Sequence, residues 1–452
     1  MTYREFIESK RHLNEYYGFD AKYLPDCLFD FQKHIVNYAV KKGRLGVFAD
    51  TGLGKTRISI AIANNIILEK NKRVLILTPL AVAFQFIDEA HIMGIDDIEY
   101  SKDGKFTKNI VVCNYERLHY FNPSDFICVI CDESSILKNF KGQMKTEITA
   151  FIKKIQYRFL TTATPSPNDY IELGTSSEAL GYMGYMDMLS KFFKSTNNDF
   201  DSNKTMGERY RLLPHAEKSF FEWVNSWSIM VKKPSDVGNF SDEKYQLPKL
   251  ITNSHIVRSD CDFDGLFQIE LPKSMWEIRE EQKRTEEIRC QKAVELSKNH
   301  DICVYWCNTN NESKLLKNYD KDAVEIIGNQ SIEQKEDILV NFAKGSIKKL
   351  VTKASITGMG LNWQHCNYSV FFPTWSYEQY YQAIRRLWRF GQKRDVYIDI
   401  VTSENQGRVM DALNEKIEKA KKLYEQLVAN VNSSYIDVKK NENCKMILPS
   451  FI

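Results

Sequence analysis

Two successive series of short apolar runs, each run followed by a turn and a helical pattern, limit what this chain can fold into more than any other feature. The first series is LGVFAD (45–50), RVLILTP (73–79), IVVCNY (110–115), FICVICDE (126–133) and YRFLTTATP (157–165). The second is ICVYWCN (302–308), AVEIIG (323–328), KLVTKAS (349–355), YSVFFP (368–373) and VYIDIV (396–401). Runs that are apolar throughout, rather than at alternate positions, belong to strands buried on both faces, as in parallel sheets covered by crossover helices. Two series therefore predict two α/β lobes in tandem. At 452 residues the chain is too long for one core and about right for two lobes with modest accessory segments.

About 100 residues between the series lack strand alternation and are rich in aromatics and methionine, notably GYMGYMDMLSKFF and KSFFEWVNSWSIMVKK. Phe220, Trp223, Trp227 and Met230 are spaced three or four apart, which predicts one helix face. That face suits a helical insertion packed against a lobe, and a nucleic-acid stacking surface is the alternative. Near the end, Val409, Met410, Leu413, Ile417, Ala420, Leu423 and Leu427 form a helical stripe expected to dock on a lobe, with a loose tail from Ser433.

The net charge of +3, from 62 basic and 59 acidic residues, argues neither for nor against a polyanionic partner. Ten cysteines without a secretory leader pattern point to a reducing cytoplasm. No apolar run is long enough to span a bilayer, so no membrane is expected. Cys128/Cys131 and Cys303/Cys307 fall in strand-like runs, where residues three apart face opposite ways and residues four apart are separated by about 13 Å. Such pairs read as structural thiols rather than zinc ligands.

The strongest local signal is Ala49-Asp50-Thr51-Gly52-Leu53-Gly54-Lys55-Thr56, set between a strand and the helical run RISIAIANNIIL. A glycine-rich turn feeding a helix N-terminus aims several N–H groups at one point, which suits a triphosphate. Lys55 is expected to reach the β- and γ-phosphates, and the Thr56 hydroxyl to ligate Mg²⁺. Ala49 stands where the general motif has its first glycine. Upstream, Gln32 before a helix could read an adenine edge with its amide. Asp132 and Glu133 end an apolar strand, and that placement suits Asp132 to the Mg²⁺ shell and Glu133 to the attacking water. Gln382-Ala383-Ile384-Arg385-Arg386-Leu387-Trp388-Arg389-Phe390-Gly391-Gln392 places Arg386 and Arg389 three apart, expected on one helical face where both could meet a γ-phosphate.

In content and order these motifs resemble superfamily-two helicases, over roughly residues 25–430, and within them the Swi/Snf-like branch and its compact phage and bacterial relatives with DEAD/DEAH-type cores. DTGLGKT resembles the nucleotide loop, LTPLAVAFQF (77–86) the first nucleic-acid motif, CDESSILKN (131–139) the DExx motif and TTATPSPN (161–168) the coupling motif. KASITGMGLNW (353–363) is similar to the fifth motif and QAIRRLWRFGQ to the sixth. Ser134-Ser135 departs from the usual ending of the DExx motif.

The resemblance implies two RecA-like parallel-sheet lobes with a helical insertion between them. The expected division is an accessory segment 1–27, an ATP-binding lobe 28–165, a mainly helical insertion or linker 166–272, a second lobe 273–405 and a C-terminal helix and tail 406–452. It implies ATP and Mg²⁺ as cofactors, with Gln32, Thr51, Gly52, Leu53, Gly54, Lys55, Thr56, Gly360 and Gln382 at the nucleotide. Pro79, Asn114, Tyr115, Thr352 and Thr357 would face a nucleic-acid strand. Arg-Phe-Gly-Gln and the Ala-Thr-Pro of the coupling motif favour DNA over RNA. The implied activity is that of an ATP-dependent helicase or translocase working as a monomer in a bacterial or phage-infected cytoplasm. An RNA helicase and an ATP-gated clamp are the alternatives.

Overall fold

A computed structural model describes residues 16–79, 82–138, 142–195, 209–258, 275–354, 356, 362–374, 376–403 and 407–440. The chain divides into two compact units, Met1–Tyr245 with Lys419–Ile452, and Gln246–Glu418. Each carries one all-parallel sheet, so the fold is α/β with two RecA-like lobes.

In the first unit the strands are β1 (Arg44–Ala49), β2 (Val74–Thr78), β3 (Ile98–Tyr100), β4 (Ile110–Asn114), β5 (Cys128–Asp132), β6 (Tyr157–Thr161) and β9 (Ser228–Val231). They lie in the order β3-β4-β2-β5-β6-β1-β9. A small antiparallel pair, β7 (Phe193–Ser195) and β8 (Tyr210–Leu212), stands apart from this sheet. Alternate residues of each central strand feed different cores. Val47, Val74 and Ile76 pack with α1 (Asp30–Lys42) and α2 (Lys55–Lys70), whereas Phe48, Leu75 and Leu77 pack on the opposite face. This double burial is why the runs are apolar at every position. A further helix, α3 (Ala83–Ile92), follows β2.

The aromatic segment covers the second face. Phe192 of α4 (Tyr185–Phe192) joins Phe220, Trp223 and Trp227 of α5 (Glu217–Trp227) in the core around Phe48, and Trp227 meets Phe48 edge to face at 6.0 Å. These rings are interior, so they form no stacking surface. The expected helix face is also shorter than the spacing suggested: α5 stops at Trp227, and Met230 belongs to β9, which pairs with β1 from Gly46↔Ser228 to Ala49↔Val231. A four-residue strand directly after a helix left no turn residues to mark the change.

The second sheet runs β10 (Leu250–Val257), β15 (Val396–Ser403), β14 (Tyr368–Phe371), β11 (Cys303–Cys307), β13 (Lys349–Lys353), β12 (Ala323–Glu325). β10 was not visible as a strand because it is an edge. Thr252, Asn253 and Ser254 are exposed, and it pairs on one side only, with β15. In this unit α6 (Tyr377–Leu387) precedes β15. The long helix α7 (Gly407–Lys440) buries Val409, Leu413, Ala420 and Tyr424 and continues past Ser433, where a loose tail was expected. Cys128 and Cys131 face opposite cores, and Cys303 and Cys307 lie buried on β11. Among the described residues no helix is long and apolar enough to cross a membrane.

Candidate nucleotide site and nucleic-acid edge

Because the first sheet is parallel, the C-terminal ends of β1, β5 and β6 lie side by side, and the loops leaving them converge. The chain leaves β1 at Ala49, and the Asp50 N–H donates to Val231 O at 2.8 Å, so β9 braces the loop from outside. Gly52 and Gly54 take φ of 88° and 82°, the left-handed region that favours glycine. At Gly54 a Cβ would also stand 2.3 Å from Gln32 Nε2. The helix α2 starts at Lys55, which puts Lys55 and Thr56 in its first turn, where backbone N–H groups have no partner within the helix. Lys55 Nζ folds back onto the loop, donating to Ala49 O at 3.0 Å and Asp50 O at 3.4 Å. Thr51 N–H donates to its neighbour's carboxylate, Asp50 Oδ1, at 2.6 Å.

Gln32 is placed differently from its expected adenine-reading role. It is buried, its Nε2 donates to Leu53 O at 2.8 Å, and its Oε1 accepts from Phe29 N–H at 2.9 Å. The amide therefore ties α1 to the phosphate loop. The aromatic surface beside it is Phe29, which is partly exposed, with Tyr245 edge-on at 5.8 Å and Lys244 Nζ 5.4 Å from its ring. Nothing in the local sequence linked residues 244 and 245 to this place.

At the end of β5, Asp132 is buried and paired in register with Thr161 of β6, whose hydroxyl donates to Asp132 Oδ1 at 2.8 Å. Burial, reinforced by the adjacent Glu133, holds the Asp132 carboxyl above its ordinary range, although Thr161 and the nearby Lys55 pull the other way. Two crowded carboxylates of this kind suit a hard divalent cation, which offsets the repulsion. Among the described residues no group of three or more His, Cys, Asp or Glu could hold a metal. A Mg²⁺ ion here would rest on Asp132, Thr56 and the oxygens of the phosphates, an arrangement usual for this ion. Glu133 has φ of 49°, a left-handed conformation that is strained for a residue with a side chain. Thr162 Oγ1 donates to Glu133 Oε2 at 3.3 Å and accepts from Thr164 N–H at 3.1 Å. A hydroxyl from the loop that follows β6 thus reaches this carboxylate.

Three residues expected to face a nucleic-acid strand are buried instead. Asn114 ends the central strand β4 and donates from Nδ2 to Tyr100 OH at 2.8 Å. Tyr115 sits under the sheet edge, its hydroxyl donating to Asp132 O at 2.6 Å. Thr352 lies inside β13, paired with Trp306 of β11. Each follows or occupies a buried strand, which places the side chain in the interior. Pro79 is partly exposed at the end of β2, and Thr357 and Gly360 lie outside the described residues. The exposed groups at this edge are different ones. Phe84, near the start of α3, is 48% exposed and 5.4 Å from the Tyr100 ring, over which Lys102 Nζ lies at 6.0 Å.

In the second unit α6 carries Gln382, partly buried, and Arg386, but ends at Leu387. Arg389 lies past that end, so the shared helical face expected for Arg386 and Arg389 does not form as such. Trp388 ends the helix and donates from Nε1 to Pro248 O at 2.7 Å, while Arg385 lies against the Tyr381 and Trp388 rings. Gln392 organises the turn that follows. Its Nε2 donates to Gln364 O and Cys366 O at 3.0 Å and Leu387 O at 3.2 Å, and its Oε1 accepts from Lys393 and Arg394 N–H. Burial, with Arg386 and Arg385 close by, presses Arg389 below the usual arginine range.

Two family models match the chain: "DEAD/DEAH box helicase" over residues 29–173 and "Helicase conserved C-terminal domain" over residues 286–391. Among solved structures, the Sulfolobus solfataricus SWI2/SNF2 ATPase core in complex with dsDNA is similar at 16% identity, over 96% of this chain and 100% of that one, with a TM-score of 0.41. No curated protein matches the chain.

Proposed function

The chain belongs to the superfamily-two helicases, whose two family models together match more than half of it, and on that premise we propose a DNA-dependent ATPase of the Swi/Snf-like branch that translocates on duplex or branched DNA. The observation that carries the reading is the convergence of Lys55, Asp132, Glu133 and Thr162 at one end of a parallel sheet. Lys55 and the first-turn amides of α2 hold the phosphates, with Lys55 exchanging its loop carbonyls for them. Glu133 orients the attacking water and takes its proton. Asp132 and Thr56 would hold Mg²⁺, which would supply positive charge against the phosphates. Arg386 and Arg389, in the segment that resembles the sixth motif, stabilise the charge that develops on the γ-phosphate. DNA is favoured over RNA by the Arg-Phe-Gly-Gln ending and the Ala-Thr-Pro coupling motif.

For the nucleic-acid side of the first unit, Phe84, Tyr100 and Lys102 supply stacking rings and a cation at the β2/β3 end of the sheet, several strands from the phosphate loop. Phe84→Ala is expected to raise the DNA concentration for half-maximal ATPase stimulation by about tenfold, since one stacked base is worth about 1–3 kcal/mol. The rate without DNA stays unchanged. Equal stimulation curves would remove Phe84 from the interface.

The deciding measurement is steady-state ATPase with single-stranded, duplex and forked DNA and with RNA, using Lys55→Ala as the blank. Stimulation by DNA is expected. Stimulation by RNA alone would transfer the enzyme to the RNA helicases, and none at all would overturn the motor reading.

A further inference from the structure

The coupling loop that follows β6 carries Thr162, Ala163 and Thr164, and the backbone carbonyl between the two threonines is held by a residue more than 250 positions away in the chain. Tyr424 of α7 donates from its hydroxyl to Ala163 O at 2.8 Å. Both groups are buried and both belong to the first unit. The Tyr424 ring is fixed from another side by Lys232, whose Nζ is 4.1 Å from the ring centroid. Lys232 directly follows β9, the strand whose last residue accepts the hydrogen bond from Asp50 in the phosphate loop. The neighbouring turns of α7 dock through other groups: Lys422 Nζ lies 3.5 Å from Glu217 Oε1, and Gln426 also bonds to Glu217.

A carbonyl has no freedom to move apart from its peptide plane, so a hydrogen bond to Ala163 O restrains ψ of Ala163 and φ of Thr164 together. Those angles set where Thr164 N–H points, and that N–H holds Thr162 Oγ1, which in turn donates to Glu133. Removing the phenolic hydroxyl would leave a buried carbonyl without this partner, and relaxation of the loop is the local way to recover one.

We propose that Tyr424 is a positioning residue for ATP hydrolysis, through which the C-terminal helix holds the coupling loop in the register that lets Thr162 reach Glu133. The inference rests on the ATPase reading above. Because the affected groups act on the water and its base rather than on the phosphate loop, the effect falls on kcat and leaves the KM for ATP in place. The ring packs beneath Lys232 and the hydroxyl bonds to the loop, so the two roles separate by substitution.

The test is steady-state ATPase of the full chain with and without duplex DNA, comparing parent, Tyr424→Phe, Tyr424→Ala and Lys422→Ala. Tyr424→Phe keeps the ring beneath Lys232 and is expected to lower kcat about three- to tenfold, the worth of one hydrogen bond, with KM within about twofold. Tyr424→Ala is expected to lose at least as much kcat. Lys422→Ala, which removes a surface ion pair of the same helix, is expected to match the parent. If Tyr424→Phe keeps the parent's kcat, the hydroxyl has no part in the loop's register and the inference is overturned. It is overturned too if Lys422→Ala lowers kcat as much as Tyr424→Phe, because docking alone would then account for the loss. A parent chain without ATPase overturns the functional reading and this inference together, so the two failures are distinguishable.

Discussion

Glu133→Gln is expected to slow ATP turnover by about 10²–10⁴-fold, the contribution of a positioned general base, while ATP still binds. The substitution keeps the length and shape of the side chain, and the amide oxygen can still accept from Thr162 Oγ1, now 3.3 Å from Glu133 Oε2. It removes the negative charge and with it the ability to take a proton. The left-handed backbone at Glu133, φ of 49°, is retained, because neither residue relieves that strain. Removing one charge from the pair also eases the repulsion that raises Asp132, so binding of nucleotide with Mg²⁺ should not weaken on electrostatic grounds. Fluorescent-nucleotide titration together with single-turnover hydrolysis separates the two steps. Turnover at the parent's rate would remove Glu133 from the role of base and leave the water to another group.

Arg386→Ala carries the other large effect, a loss of about 10³-fold or more in turnover with ATP affinity retained, as for an arginine that meets charge in the transition state. Burial, with Arg386 and Arg385 close by, presses Arg389 below its usual range. Arg385 lies against two aromatic rings and donates to Trp388 O at 3.2 Å, which suits it to holding the end of α6. A cluster of like charges is costly until an anion joins it, and a triphosphate is such an anion. Arg386→Lys tests geometry against charge: an ammonium keeps the charge and loses the planar fork, so most of the loss should persist. Stopped-flow nucleotide binding alongside steady-state turnover measures both. Unchanged turnover in Arg386→Ala would mean that hydrolysis does not draw on this helix.

The phosphate loop was legible because its requirements are local. Two glycines at positive φ, a strand before and a helix after are written within a dozen residues around Gly52 and Gly54. The central strands were legible for a related reason: burial on both faces leaves an unbroken apolar run such as 128–131, which leads into Asp132. Two strands paired on one side only, β9 and β10, escaped notice. β9 is four residues long and adjoins a helix, and β10 carries Thr252, Asn253 and Ser254 at an exposed edge. The nucleic-acid contacts were the least legible. Asn114, Tyr115 and Thr352 have residue types that could serve either a ligand or the interior, and only the layers packed over each strand end assign them to the interior. The same holds for Arg389, since the helix ends at Leu387, two residues before it.

By itself the sequence determined that this chain forms two parallel-sheet lobes and that one carries a phosphate loop, because backbone sterics and apolar periodicity act over a few residues at a time. The tertiary structure alone decided that Gln32 grips Leu53, that Asn114 supports Tyr100 and that Tyr424 holds Ala163. Each of those pairs joins residues far apart in the chain through one directional hydrogen bond. Such a bond depends on where two folded segments come to rest, and no local pattern encodes that position.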